Sequence, residues 1–347
     1  MQMNHFAKSA FSTFCIVAGF FACWEWYLRS KGIKVDYDDG KELWAHKRKQ
    51  VYQGPGNATV FIGASRIKHG LDIETWRKQT GEDAVQLAVE GSTFLPVLSD
   101  LANDEKFKGK LVIDISESFL FNLKYYYFSK PTSFIGYYQN ETFAEKAGFW
   151  LNRVLESNFV FLDKNNLSLN AFFEKIPLKK RQGVIVVPPF PMGFCRVSAD
   201  RQNIMTDQFL ADSNQLKWVL NNLFFLGGVS RNEPVTQEQT DSILTVIKND
   251  VDKIRARGGR VVMVRTPASG LFWETEKKTH PRNLYWDRLA SFVAVPAIHF
   301  EDYPELSGFN CPDYSHLAPK DARIFTEKFI DLLKQKGWSF GKQATFH

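Results

Sequence analysis

Residues 9–24, Ser-Ala-Phe-Ser-Thr-Phe-Cys-Ile-Val-Ala-Gly-Phe-Phe-Ala-Cys-Trp, carry no charge, and apolar character continues past Glu25 through Trp26, Tyr27 and Leu28. The stretch reaches the roughly 17–20 residues that cross a hydrocarbon core. Lys8 precedes it, Arg29 and Lys31 follow it, and Trp24, Trp26 and Tyr27 sit where an interfacial aromatic belt belongs. No small-x-small cleavage site follows the run. The reading is an uncleaved single-pass anchor within residues 1–30, with a cleaved signal peptide and a buried helix of a soluble protein as the alternatives. Charge leaves the orientation open, because Arg29, Lys31 and Lys34 slightly outweigh Lys8 plus the amino terminus.

The rest of the chain must fold in water. Over all 347 residues, 44% are apolar and 24% charged, which places the body among globular proteins and outside the disordered class. The net charge of +6 has no polybasic block behind it, so a dedicated nucleic-acid binder is not indicated. Four cysteines are too few for a disulfide framework. Cys15 and Cys23 read as small hydrophobes of the apolar run, and whether Cys195 and Cys311 pair stays open.

A polar connector over 31–57 leads to short β-prone runs at 59–62, 84–89, 111–115, 260–264 and, more weakly, 295–300. Between them lie helical patterns. Ile243, Ile247, Val251 and Ile254 recur at helical spacing, as do Ile324, Phe325, Phe329, Leu332 and Leu333 behind a proline. Apolar strands alternating with amphipathic helices predict an α/β fold with a mostly parallel sheet covered on both faces. Ligands of such sheets bind outside the C-terminal strand ends. The stretch 116–235 breaks the rhythm with Phe119, Phe121, Tyr125, Tyr126, Tyr127, Phe128, Phe134, Tyr137 and Tyr138, and adds an apolar run at 183–190 that suggests a further strand at 184–187. It reads as an inserted aromatic-rich cap: a second small core, a substrate lining, or a surface resting on a bilayer or a membrane partner. The remainder, 337–347, is a tail.

Ser65 is the candidate nucleophile. In Val60-Phe61-Ile62-Gly63-Ala64-Ser65-Arg66 it stands just past a buried strand, where its own N–H and a neighbouring one can face an oxyanion. Near the end, Asp313-Tyr314-Ser315-His316 sets a carboxylate three residues before a histidine. Such an acid can hold an imidazole in the tautomer that accepts a serine proton. His69 is four residues after Ser65 but would have to fold back to act as the base, so His316 is preferred. Arg66 and Arg265 are candidates for binding an anionic substrate group, or else for pairing with structural carboxylates. No metal spacing and no dinucleotide or phosphate-loop pattern is present, so no cofactor is implied.

Gly-x-Ser after the first strand, a glycine after the second and Asp-x-x-His before the last helix together resemble the SGNH/GDSL hydrolase superfamily. The likeness is strongest to its membrane-anchored branch, which includes the D-alanyl transfer and alginate O-acetylation proteins. It covers about 59–334, with the insertion unmatched. The resemblance implies a three-layer α/β/α, flavodoxin-like domain over 58–336 with its insertion at about 116–235. By the same resemblance Ser65 is the nucleophile, Asp313 and His316 the acid and base, and Gly91, in Val89-Glu90-Gly91, the second oxyanion donor beside the Ser65 amide. The family's third-block asparagine is missing from Ile115-Ser116-Glu117-Ser118, and Asn122 is the nearest one. The implied activity is that of a serine esterase or O-acyltransferase on esters of a cell-envelope polysaccharide. The implied setting is the inner (cytoplasmic) membrane, with the body on the extracytoplasmic or periplasmic side, beside a multi-span acyltransferase and an acylated carbohydrate polymer. The alternative is a catalytically weak or inactive relative that binds polysaccharide or assists such an acyltransferase.

Overall fold

The short apolar runs read from the sequence become the strands of the large sheet. β1 (Thr59–Ile62), β2 (Ala84–Gln86), β3 (Lys110–Asp114), β6 (Arg260–Arg265) and β7 (Ala297–His299) form one sheet in the order β2-β1-β3-β6-β7, while β4 (Cys195–Val197) and β5 (Asn203–Met205) form a separate antiparallel pair. All four pairings in the large sheet are parallel. The computed structural model describes residues 5–53, 58–174, 176, 191, 193–229 and 235–341. The apolar run at 183–190, with its expected strand at 184–187, lies outside them.

Side chains alternate across the sheet as a period of two requires. Val60, Ile62, Leu111, Ile113, Val261 and Met263 enter one core, with the helices Leu95–Asn103, Gln237–Ala256 and Trp286–Val293. Phe61, Val112, Val262 and Val264 enter the other, with Ile73–Thr80 and Pro319–Gln335. This is a three-layer α/β/α sandwich. Ile243, Ile247, Val251 and Ile254 are buried as their spacing predicts, and so are Phe325, Phe329, Leu332 and Leu333; Ile324 faces outward. The chain steps from β1 to β2 on one side, then crosses to β3 on the other. The end of β1 is therefore a topological switch point, and Ser65 follows it.

The aromatic insertion divides. Its first long helix, Tyr125–Asn140, buries Tyr127, Phe134 and Tyr137 and joins the sheet's own core through Phe134. By contrast, residues Thr142–Ile185 group with Met1–Asp38 in a compact unit of their own, and Asp39–Glu141 with Val186–His347 in the other. The smaller unit holds the helices His5–Ser30 and Phe143–Asn158. Among the described residues, His5–Ser30 is the one helix long and apolar enough to cross a membrane; no residue of its 18-residue apolar window is buried, and Leu28 is the one buried residue of the helix.

Candidate active site

A glycine makes the turn out of β1 possible. Gly63 has φ +151°, and a Cβ there would stand 2.7 Å from the Cβ of Asp114 at the end of β3. Only a residue without a side chain lets the two strand ends approach so closely. Two residues later Ser65 opens the helix Ser65–Gly70 and stays partly exposed, while Arg66 through Gly70 are buried.

His316 comes to this serine from 251 residues away. Its Nε2 lies 2.8 Å from Ser65 Oγ, and its Nδ1 lies 2.6 Å from Asp313 Oδ2. The backbone between acid and base is wound to allow this. Tyr314 adopts the left-handed conformation at φ +66°, and Asp313 Oδ1 accepts the amides of Ser315 at 3.0 Å and His316 at 2.7 Å. The ring of Tyr314 fills the space where Gly270 has no side chain. Burial by itself raises the Asp313 carboxyl, but the charge of His316 and the bonds it donates outweigh this and hold the acid below its ordinary value. Asp313 is thus an anion fixed against the imidazole edge remote from the serine. Such an anion orients the ring and stabilises it when protonated.

Behind the His316 ring is a second histidine. Asn203 Nδ2 lies 3.3 Å from His69 Nε2, and Phe194 packs beside both imidazoles. Asn203 also donates to Glu90, which pairs with Lys68 at 2.8 Å; Lys68 in turn pairs with Asp39, whose carboxylate meets Arg201. Burial raises the Glu90 carboxyl, yet Lys68, Lys130 and the Asn203 bond bring it well below the ordinary value. The network ties the loop carrying Gly91, at φ +61°, to the helix that starts with Ser65. Sequence reasoning missed Lys68, Glu90, Phe194 and Asn203. Glu90 adjoins Gly91 and was open to inspection, but a short β4–β5 pair far along the chain gives no local sign that it will line a site.

Arg66 and Arg265 come together, though not as open guanidiniums. Arg265 is fully buried: its Nε binds Glu117 at 2.8 Å, Nη2 binds Glu276 at 2.7 Å, and Nη1 binds the Thr266 carbonyl at 2.9 Å. Arg66 Nη2 binds the other oxygen of Glu276 at 2.8 Å and Nε meets Ser315 Oγ at 3.2 Å, which leaves Nη1 buried without a partner. Of the two roles open to these arginines, pairing with carboxylates is the one observed. Their effect on the site is to brace the backbone on both sides of the triad, through Ser315 and the residues after β3 and β6.

The third strand end supplies no asparagine. Asn122 is buried and its Oδ1 accepts the Lys124 amide at 3.1 Å, a local loop bond, while the Ser116 hydroxyl is buried without a partner. None of the four cysteines forms a disulfide, and burial pushes the thiol of Cys311 up to about 12. Among the described residues no cluster of three His, Cys, Asp or Glu is arranged to hold a metal ion. No family profile matches this sequence, and no curated protein is significantly similar to it.

Proposed function

We propose that the chain is a membrane-anchored serine esterase or O-acyltransferase of the SGNH type, acting on ester groups of a cell-envelope polysaccharide. The observation that carries the reading is the unbroken hydrogen-bonded series from Ser65 through His316 to Asp313. Ser65 Oγ attacks the ester carbonyl as its proton passes to His316 Nε2. The amides of Ser65 and Gly91 receive the oxyanion. The carbon–oxygen bond to the sugar then breaks, and His316 returns the proton to the departing alkoxide, leaving the acyl group on Ser65. In the second half, water or another sugar hydroxyl gives its proton to His316 and attacks the acyl carbon, and Ser65 recovers its hydrogen. Water yields the free acid and hydroxyl yields a new ester.

The apolar helix His5–Ser30 supports the anchor. The extracytoplasmic side, the polysaccharide and a multi-span acyltransferase partner follow from the sequence resemblance alone. A second reading, a weak or inactive protein that binds polysaccharide or assists such an acyltransferase, draws support from the strand end at Ile115-Ser116-Glu117, where the third oxyanion donor is missing. Losing one such donor slows acyl transfer by roughly 100-fold to 1000-fold.

A serine-directed fluorophosphonate separates the two readings. Applied to the full chain in detergent, it should label the wild type, and neither Ser65→Ala nor His316→Ala should react at a comparable rate. Labelling that persists in Ser65→Ala moves the nucleophile elsewhere. A wild type that resists the reagent favours the assisting role.

A further inference from the structure

The helix Phe143–Asn158 is amphipathic in the wrong direction for a water-soluble surface. At about 100° per residue, Phe143, Ala147, Trp150, Leu151, Val154 and Leu155 fall within one arc of roughly 140°. A surface helix normally turns such an arc toward the core. Here Phe143 is 86% exposed, Trp150 68% and Leu151 54%, with Val154 and Leu155 also exposed. No residue of the helix is fully buried, and its only half-buried positions, Phe149, Arg153 and Glu156, lie on the opposite side. The protein therefore covers the more polar side and leaves the apolar one open.

Its attachment points say what covers that face. Just past the helix, the amides of Val160 and Phe161 donate to the Glu25 carboxylate at 3.0 and 3.2 Å. Arg29 donates to the Asn158 carbonyl at 2.8 Å and to Glu25 at 2.7 Å, and the rings of Phe21 and Phe161 stack at 5.1 Å. Residues 21–29 are where the N-terminal apolar helix ends in Trp24, Trp26 and Tyr27. Some 20 residues at 1.5 Å each carry that helix across about 30 Å of hydrocarbon, which sets this junction at the level of the lipid headgroups. Leu169, Phe173 and Ile176, farther along the same unit, are exposed as well.

We propose that Phe143–Asn158 lies in the membrane interface with Phe143, Trp150, Leu151, Val154 and Leu155 among the acyl chains, a second membrane contact of a different kind from the anchor. The occupant is lipid because the exposed face is tethered to the end of an apolar helix whose membrane-length window has no buried residue. An interfacial helix gains by burying such an arc a few ångströms below the headgroups while its polar side stays wet. The inference rests on His5–Ser30 spanning the bilayer and is independent of the serine chemistry.

The test uses the full chain, with Cys15, Cys23, Cys195 and Cys311 changed to serine, reconstituted sparsely in phosphatidylcholine–phosphatidylglycerol vesicles. Nitroxide labels are placed at Leu151→Cys and Val154→Cys on the apolar arc and at Asn152→Cys on the polar side. Labels at 151 and 154 should relax readily with oxygen and poorly with a water-soluble nickel chelate, and the label at 152 should do the reverse. Access of the chelate to 151 and 154 overturns the proposal, because these vesicles contain no other protein and a face kept for a different membrane partner would stay wet. Shielding from both reagents with spin–spin broadening also overturns it, in favour of a second copy. Release of the unlabelled wild type from membranes by alkaline carbonate removes the anchor and the proposal with it. As a check on folding, each labelled chain should melt as the cysteine-free parent does.

Discussion

The imidazole of His69 lies 4.4 Å from that of His316, centroid to centroid, with the rings tilted by 35°. Two imidazoles this close are not both cationic at neutral pH, because like charges repel. Burial, and then the charge on His316, hold His69 well below the ordinary histidine value, so His69 stays neutral. The inner ring is a shelf that fixes where the His316 ring stands. His69→Ala should therefore cost about 2–4 kcal/mol of stability by opening a cavity. It should also slow fluorophosphonate labelling at least ~10-fold through a mobile His316. His69→Phe, which restores the shelf without a titratable nitrogen, should recover most of the labelling rate. Labelling rates and thermal melts of the two variants check this, and a base role for His69 predicts no recovery.

Asp313→Asn should keep the fold and lose the reaction. The amide still bonds to the ring but no longer stabilises an imidazolium, and it lets the wrong nitrogen carry the proton. The expected drop in acylation rate is about 10⁴-fold. Near-normal labelling in this variant would show that the 2.6 Å bond between Asp313 and His316 has no part in the chemistry.

Glu276 is the shared counter-ion of Arg66 and Arg265, and its replacement should be costly. Burial raises its carboxyl, but the two guanidiniums outweigh that and keep it below the ordinary value, while Glu117 is pushed up by burial, with the Glu276 charge adding to it, against the pull of Arg265. Glu276→Gln leaves two buried cations under-compensated, and roughly 3–5 kcal/mol of stability should be lost. Denaturant titration of the detergent-solubilised chain measures it. An unchanged midpoint would mean that water reaches the pair.

Acid should weaken the fold before it reaches the carboxylates. His69, His280 and His299 are all lowered, first by burial, and His299 sits at about 3. In the unfolded chain each binds a proton below about pH 6.5, which the folded chain refuses. The unfolded state then holds more protons, so stability is full above about pH 6.5 and declines as pH falls, by up to ~1.4 kcal/mol per pH unit for each group. Asp39, Glu90 and Asp313, all depressed, add a second loss below about pH 4. Melting temperatures should be level from pH 8 to 7 and fall steadily from 6.5 to 4.5. A level profile down to pH 5 contradicts the assignment of buried neutral histidines.

The adjacent tyrosines of the insertion should respond unequally. Tyr127 is 6% exposed, packs edge-on against Phe119 at 5.4 Å, and accepts the Thr93 amide at its carbonyl, whereas Tyr125 is 83% exposed. Tyr127→Ser should cost about 2–4 kcal/mol. Tyr125→Ser should stay within about 0.5 kcal/mol. Equal effects in thermal melts would place both rings in the same environment.

What the sequence revealed follows the range of the interaction involved. Strands such as 59–62 and 260–265 are written in consecutive β-branched and apolar residues, and the helix around Ile247 in its own period, so both were legible. The second run, expected over 84–89, narrows to Ala84–Gln86, with Leu87 and Val89 still donating to Phe61 and Gly63 as the chain leaves the ladder. Ser65, Asp313 and His316 could be named because each sits in a short pattern at a strand end or helix start. Glu276 could not be matched to Arg66 and Arg265, nor Asn203 to Glu90, because those pairings exist only after distant segments have packed. Which side of Phe143–Asn158 faces outward is a tertiary fact that no local pattern carries.

The strand order also has a consequence in time. Ser65 follows the first strand of the sheet, while Asp313 and His316 lie beyond the fifth, next to the helix Pro319–Gln335 that covers one face. A ribosome emits these groups about 250 residues apart, which at roughly 5–20 residues per second is some tens of seconds. Throughout that interval the emerging chain carries a hydroxyl with no base beside it. The hydrogen-bonded series from Ser65 through His316 to Asp313 is thus completed only when the last layer docks.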